Sequence, residues 1–93
     1  MAYTGHRPDL ISAEVGKLGW LTLYRTINGQ VWSRRVGPSD FLSPMEAAVA
    51  LKVHRTTVYD WMAQGLIQAY EGEYGHLVLW DQVWKFGRLK GIL

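Results

Sequence analysis

The chain has 93 residues, no cysteine and a formal net charge of +2, and 48% of its residues are hydrophobic. This length suits one α+β domain with a single core, and the modest positive charge is compatible with an anionic partner. No apolar run is long enough to span a bilayer and the N-terminus does not read as a signal peptide, so a cytoplasmic protein without a membrane partner is expected.

Residues 1–40 are predicted to form an N-terminal arm, a short helix and a β-hairpin that packs on or pairs with the main domain. Residues 1–8 show no periodicity and are expected to be a loose arm. A short helix is predicted over Asp9–Lys17, because apolar residues recur there and Gly16 and Gly19 limit the segment.

The strongest signal in this part is Asn28-Gly29, which lies between two runs rich in threonine, aromatic and β-branched residues. It predicts a hairpin over Trp20–Val36 with a two-residue turn that pairs Ile27 with Gln30. An isolated hairpin is only marginally stable, so this one needs support from the helices or from a second subunit. The side chains expected to pack against the helices are Leu21, Leu23, Ile27 and Trp32.

A short linker, Gly37–Asp40, leads into the main domain, residues 41–93. Its first helix has a complete start signal. Ser43 suits the cap, Pro44 the first helical position, and Glu46 stands three residues after the cap, which together make a capping box. One apolar stripe follows at helical spacing, formed by Ala47, Ala48 and Leu51.

A second helix is predicted to begin near His54 or Arg55 and to end at Gly65, a left-handed stop. Two short helices separated by so few residues indicate a helix-turn-helix. Its second helix, about residues 55–64, would then offer its polar face to a DNA major groove. The apolar residues of this helix, expected in the core, are Val58, Trp61 and Met62. The polar face carries Arg55, Thr56, Thr57, Tyr59 and Asp60.

Two apolar runs follow, Leu66–Tyr70 and Leu77–Trp80, and a polar loop separates them. They predict a wing hairpin over about residues 66–80. Asp81 is predicted to cap a last helix that runs from Gln82 to about residue 90. The apolar residues of that helix are Val83, Phe86 and Leu89.

The segment LSPMEAAVALKVHRTTVYDWMAQGLIQAY resembles the winged helix-turn-helix of bacterial and phage excisionase-like and MerR-like proteins. In those proteins a capped helix is followed by a recognition helix of the V-S-R-S-T-V-Y type, and the resemblance covers rather more than half of this chain. Ala48 matches the family's small residue on the first helix, and Val53 and Val58 match its core positions. His54 stands where the family usually caps with serine, and Lys52 stands where a turn glycine is common.

The resemblance implies sequence-specific binding of double-stranded DNA by occupancy, without chemistry. The protein would be a transcriptional regulator, an excisionase-like architectural factor or a packaging-type recognition domain. One helix in one groove covers only a few base pairs, so a homodimer or a cooperative assembly is expected to supply further specificity. The residues assigned to DNA contact are Lys52, His54, Arg55, Thr56, Thr57, Tyr59, Tyr74, His76 and Arg88.

The wing departs from relatives that carry basic residues at its tip, because it contains Glu71 and Glu73, which phosphates would repel. The alternative is a protein-interaction module on the same scaffold, which would use the acidic wing, the aromatic surface or the N-terminal hairpin. A third interpretation is a regulatory subunit of a larger enzyme. Catalytic motifs and zinc-ligand spacing are missing, including around His6, His54 and His76, so no enzyme activity, metal or cofactor is predicted.

Overall fold

The computed structural model describes the backbone of residues 9–93 and the side chains of residues 12–93. This part is a small α+β domain with three α-helices and two antiparallel sheets. None of its helices is both long enough and apolar enough to cross a membrane. The predicted arm, residues 1–8, lies outside the described residues. The elements are β1 (Asp9–Val15), a 3-10 turn (Lys17–Gly19), β2 (Leu21–Ile27), β3 (Gln30–Val36), β4 (Phe41–Leu42), α1 (Pro44–Leu51), α2 (Arg55–Ala63), β5 (Tyr70–Gly72), β6 (Gly75–Leu79) and α3 (Trp80–Leu89).

The predicted N-terminal hairpin is confirmed as β2 and β3. Both residues of the Asn28–Gly29 turn have positive φ, 52° and 79°. This conformation matches the right-handed twist of the flanking strands. The register runs without a break from the Ile27–Gln30 pair to the Leu21–Val36 pair, as the two-residue turn requires.

The predicted helix over Asp9–Lys17 is wrong, because its first seven residues form β1 at the edge of a sheet with the order β1-β2-β3. Exposure alternates along β1. Ser12 and Glu14 are exposed, whereas Ala13 and Val15 are partly buried, as a strand with one covered face requires. The apolar spacing of so short a segment is compatible with either structure, and the open edge of β2 decides in favour of a strand.

A side-chain hydrogen bond also joins β1 to β2. The Tyr24 hydroxyl donates to the Glu14 carboxylate at 2.5 Å. This bond, with smaller contributions from desolvation and from the charge of Glu14, raises the pKa of Tyr24 above its ordinary value. Because the pKa of Tyr24 is raised in the folded state, any stability that the bond to Glu14 contributes is lost as the pH rises through that raised pKa.

One hydrophobic core lies between the first sheet and the helices, and both the N-terminal segment and the main domain contribute to it. Trp80 is fully buried, and its indole N–H donates to the Gly19 carbonyl at 2.6 Å, which ties the start of α3 to the turn after β1. The buried apolar residues are Leu21, Leu23, Val36, Leu42, Ala47, Ala48, Ala50, Leu51, Val58, Ile67, Val78, Trp80 and Val83.

The helices cover only one end of the first sheet. Leu21 and Leu23 are fully buried as predicted, whereas Ile27 is only partly buried. The prediction that Trp32 packs against the helices is wrong, since its side chain is 55% exposed. The hairpin therefore extends past the core, and its distal half presents apolar side chains to solvent.

The second sheet has the order β4-β6-β5, and α3 follows β6 directly. This helix begins at Trp80, two residues before the predicted start at Gln82. Asp81 lies in the first turn without capping it and pairs with Lys85 at 2.9 Å, so the predicted cap is wrong. The predicted stripe is also shifted, because Leu89 is 88% exposed. Burial of the Trp80 indole fixes the start of the helix, and the buried residues are Trp80, Val83 and Gly87.

Candidate functional site

The candidate site is built on α1 and α2, which three residues join. Lys52 ends α1 in the left-handed conformation, with φ 58° and ψ 42°. Its backbone N–H donates to the Val49 carbonyl at 3.2 Å, and the Val53 N–H donates to the Ala48 carbonyl at 3.0 Å. This pattern closes a helix that usually ends on glycine. Lys52 therefore has the backbone conformation that suits glycine, the residue common at this position in the family that the sequence resembles.

His54 caps the start of α2, at the position where the family that the sequence resembles usually has serine. Its Nδ1 atom accepts a hydrogen bond from the Thr56 N–H at 3.2 Å, and the Thr56 hydroxyl lies 2.9 Å from the same nitrogen. The Thr57 N–H donates to the His54 carbonyl at 2.9 Å. The first turn is thus held by local bonds, and two of the residues assigned to DNA contact, His54 and Thr56, already have a structural role there.

The inner side of α2 is fixed by the core and by α3. Val58 is fully buried, and the Trp61 ring meets the Phe86 ring edge-on with centroids 4.8 Å apart. Gly65, with φ 76°, closes the helix, and its N–H donates to the Met62 carbonyl at 3.0 Å. The predicted inner face and the predicted stop are both confirmed.

The outer side of α2 carries the predicted polar face. Arg55 and Thr56 are exposed in the first turn, Tyr59 is 45% exposed one turn later, and Asp60 is exposed beside it. Thr57 is partly buried. The structure therefore brings a cation, a hydroxyl and a phenol together on one short helix, with one carboxylate at the far end of the group.

Most lysine and arginine side chains of the described part are already engaged. Ion pairs hold Arg25, Arg34 and Lys85. Three others lie over aromatic rings, namely Arg35, Arg88 and Lys90. Among the described side chains, no carboxylate or ring partner engages Lys17, Lys52 or Arg55. Lys52 begins the turn between α1 and α2 and Arg55 directly follows it, so two of these three cations place their charge at that turn.

The β5–β6 hairpin lies within the predicted wing segment, but it is shorter than predicted. Its tip is Glu73-Tyr74, and the Tyr74 side chain is 95% exposed. Glu71 and His76 are both exposed and stand opposite each other across the two strands. The tip therefore presents two carboxylates, one imidazole and one phenol to solvent.

Arg88 lies in a different environment from the residues of α2. Its guanidinium stacks on Trp84, 5.1 Å from the ring centroid. Both residues line a groove of about 530 Å³ between α3 and the 3-10 turn, together with Lys17 and Leu18. The lining of this groove includes no residue of α2, so the contacts of Arg88 group it with the 3-10 turn.

The anchoring of α1 on the first sheet is a feature that the sequence patterns did not predict. The Arg25 guanidinium on β2 and the Arg34 guanidinium on β3 both reach the Glu46 carboxylate, the second at 3.4 Å. A signal for this was present, because the predicted register places both arginines on the same face as Leu21 and Leu23. Cations on a face that packs against a core require an acidic partner.

The described residues contain no group of three or more histidine, aspartate or glutamate side chains that could hold a metal ion. Comparison with protein families, curated proteins and solved structures found no match to this chain.

Proposed function

We propose that this chain is a winged helix-turn-helix protein of the excisionase-like and MerR-like kind and that it binds double-stranded DNA. In this proposal α2 lies in the major groove, the β5–β6 hairpin is the wing, and the protein acts by occupying its site. The observation that carries the proposal is the exposed start of α2. There Lys52 and Arg55 have no partner among the described side chains, while Val58 holds the opposite side of the helix in the core.

The size of α2 suits this role. Nine residues make a helix roughly 13 Å long, and a major groove about 12 Å wide admits an α-helix. Arg55 in the first turn has the planar fork that reads guanine O6 and N7, and such a contact discriminates by roughly 1–3 kcal/mol. Lys52 before the helix and Tyr59 one turn later are suited to phosphates, which would set the register of the helix.

The order of elements around the helix pair supports the same proposal. β4 comes directly before α1, and β5 and β6 follow α2 and pair in the order β4-β6-β5. Tyr74 and His76 lie at or next to the tip of the hairpin, where a wing would meet the sugar-phosphate backbone. Regulation of transcription, an architectural role in recombination and recognition during packaging all use such an occupancy mechanism.

The test is a salt titration of binding to a labelled random-sequence duplex, followed by fluorescence anisotropy. A DNA-binding protein should lose affinity along a straight line of log K against log salt, because phosphate contacts release counterions. Arg55→Ala should weaken binding to a selected target by roughly 1–3 kcal/mol and relax preference at one base position.

Lys85→Ala is the matched control, because Lys85 is an exposed cation on α3 that pairs with Asp81. It should leave affinity for the selected target almost unchanged. No binding at low salt, or equal losses in the two variants, would contradict the proposed role of α2.

One observation favours a second candidate, a protein-interaction module on the same scaffold. Glu71, Glu73 and the exposed Tyr74 make the hairpin tip acidic and aromatic, which suits a protein partner better than a phosphate chain. In that case the random-duplex assay would show no salt-dependent binding, and substitutions at the tip would affect the protein complex alone.

A further inference from the structure

The outer strand of the first sheet, β3, has an open edge. The sheet order β1-β2-β3 gives β3 a neighbour on one side only within the described part. Its side chains from Gln30 to Arg35 are all exposed. The other edge strand, β1, is interrupted by an irregularity between Leu10 and Ser12, whereas the β2–β3 register has none. An irregular edge pairs poorly with another strand, so β3 is the edge available for pairing.

The register fixes which backbone groups of β3 are free. The two-residue turn makes Ile27 and Gln30 a hydrogen-bonded pair, and bonded pairs alternate along an antiparallel ladder. Even-numbered residues of β3 therefore bond to β2. The N–H and C=O groups of Val31, Ser33 and Arg35 point away from the sheet. Three donor and acceptor sets, on alternate residues, are thus available along one edge whose register has no irregularity.

The side chains of β3 do not protect this edge. It contains no proline and no lysine, and its two charged side chains, Arg34 and Arg35, both have partners within the chain that draw their charges away from the free edge. The Arg34 guanidinium reaches Glu46 on the inner face, and the Arg35 guanidinium lies 4.7 Å from the Trp20 ring centroid. Apolar surface remains beside the free groups, since Val31 is 66% and Trp32 55% exposed.

We propose that β3 pairs antiparallel with β3 of a second copy of this chain, with Ser33 opposite Ser33. This register uses all three free residues and forms about six backbone hydrogen bonds, because Val31 of each copy faces Arg35 of the other. Trp32 of each copy then faces Arg34 of the other, where a guanidinium and an indole attract each other.

The two neighbouring registers are less favourable. A pairing centred on Arg34 places that cation directly opposite its copy, and like charges in that position are destabilising. A pairing centred on Trp32 leaves Arg35 without a partner on the free edge and loses about two of the hydrogen bonds. The arrangement of charge and of free backbone groups therefore selects one register.

A depression at the end of β3 also fits this arrangement. The pairing places Gln30 of the second copy opposite Val36 and its Asn28–Gly29 turn just beyond, beside Gly37. A pocket of about 280 Å³ opens there, lined by Arg34, Arg35, Val36, Asp40 and Phe41. This recess leaves space for the turn of the second copy at the end of β3.

Disulfide trapping tests the register in the full-length protein without nucleic acid, so its outcome is independent of DNA binding. The chain has no cysteine, so each introduced thiol is unique. Ser33→Cys should form an intermolecular disulfide rapidly, because facing Cα atoms in a bonded pair are about 5.5 Å apart, within disulfide reach.

Val31→Cys is the matched control, on the same exposed face of the same strand. Its two copies would lie four residues apart along the strands, more than about 13 Å, and should not join. The double variant Val31→Cys/Arg35→Cys should join again. Equal rates for Ser33→Cys and Val31→Cys, or no disulfide in either, would overturn the proposal.

Sedimentation equilibrium of the unmodified protein gives a second, independent readout. Mass should rise from one chain to two with concentration, and Ser33→Pro should shift this transition to much higher concentration while Ser33→Ala leaves it in place. Proline at this position removes only an outward N–H, which edge strands tolerate. A protein that stays monomeric throughout would overturn the proposal and leave the edge open to a strand of another protein.

Discussion

The Glu46 carboxylate accepts a hydrogen bond from the Arg25 guanidinium while it also closes the capping box at the start of α1. Glu46 is 8% exposed, and the Nε atom of Arg25 is buried with no hydrogen-bond partner among the described residues. One carboxylate thus fixes where α1 begins and how α1 sits on the first sheet. Because a turn of three residues joins α1 to α2, the same carboxylate also helps to orient the exposed face of α2.

Two substitutions separate these roles of Glu46. Glu46→Gln keeps an acceptor for the capping box but removes the charge, and we expect the free energy of unfolding to fall by about 1–2 kcal/mol. Glu46→Ala removes both and leaves two guanidinium groups against the core edge, so we expect a loss of about 2–4 kcal/mol. Urea unfolding followed by tryptophan fluorescence measures both. Equal losses would show that the charge of Glu46 accounts for its whole contribution and that its bond to the Ser43 N–H adds nothing.

The bond between Trp80 and Gly19 leads to a second expectation. Trp80→Phe removes the indole donor inside the core, leaves the Gly19 carbonyl without it and opens a small cavity. We expect a loss of about 2–4 kcal/mol in urea unfolding. Trp20→Phe is the control, because Trp20 is 43% exposed and should cost much less. A loss no larger for Trp80 than for Trp20 would mean that the bond to the turn does not hold α3 in place.

The parts of the fold that sequence patterns predicted correctly depend on neighbours within a few residues. The capping box of Ser43 and Glu46 forms as predicted, and the Asn28–Gly29 turn sets the register of the hairpin. Gly65 ends α2 with positive φ. Each signal is a local geometric requirement that few residue types satisfy, which is why it could be identified without the tertiary structure.

The incorrect predictions concern contacts between distant segments. β1 is a strand because β2 offers it an open edge, and no pattern inside residues 9–15 contains that information. Trp32 is predicted to pack against the helices because it shares a face of the sheet with Leu23. However, α1 covers this face only as far as the guanidinium groups bound to Glu46, and Trp32 stays exposed. The start of α3 is likewise set by the distant partner of Trp80, the Gly19 carbonyl.

The polar face of α2 was predicted correctly, but the availability of its members was not. The sequence placed Arg55 and Thr56 on one face, and both are exposed there. That the Thr56 hydroxyl lies against the His54 ring, and that Arg88 stacks on Trp84 beside another groove, follows only from three-dimensional contacts. The spacing of residues predicts which face of a helix a side chain lies on. Which neighbouring groups that side chain contacts is determined by the tertiary packing.

The left-handed conformation of Lys52 leads to a third expectation. A side chain there costs roughly 1–2 kcal/mol, which glycine avoids at the expense of about 0.5–1 kcal/mol of unfolded-state entropy. Lys52→Gly should therefore leave the free energy of unfolding unchanged or raise it by up to about 1 kcal/mol, whereas Lys52→Ala should not raise it. Thermal unfolding of both variants measures this.

The same pair of variants tests the charge of Lys52, since both lack it. If Lys52 meets a phosphate, both should weaken binding to every duplex alike and flatten the salt dependence. A loss of affinity in Lys52→Ala alone would instead mean that the turn geometry, and not the cation, matters for binding.

The hairpin tip leads to the last expectation, which separates the two candidate functions. Glu73 lies exposed in the turn between β5 and β6, next to Tyr74, which is 95% exposed, and its side chain makes no hydrogen bond or ion pair within the described residues. If this tip is a wing beside DNA, Glu73→Lys should tighten binding to random duplex, because it removes a repulsion and adds counterion release. The gain should shrink as salt rises, since screening weakens both terms. Glu14→Lys is the control for net charge, because it changes the charge equally from an exposed position on β1, and its folding is checked separately since it also removes the bond from the Tyr24 hydroxyl. A larger gain for Glu73→Lys than for Glu14→Lys would locate the tip near the phosphates. Equal gains would show only general attraction, and no gain in either, with the tip variant still folded, would favour a protein partner.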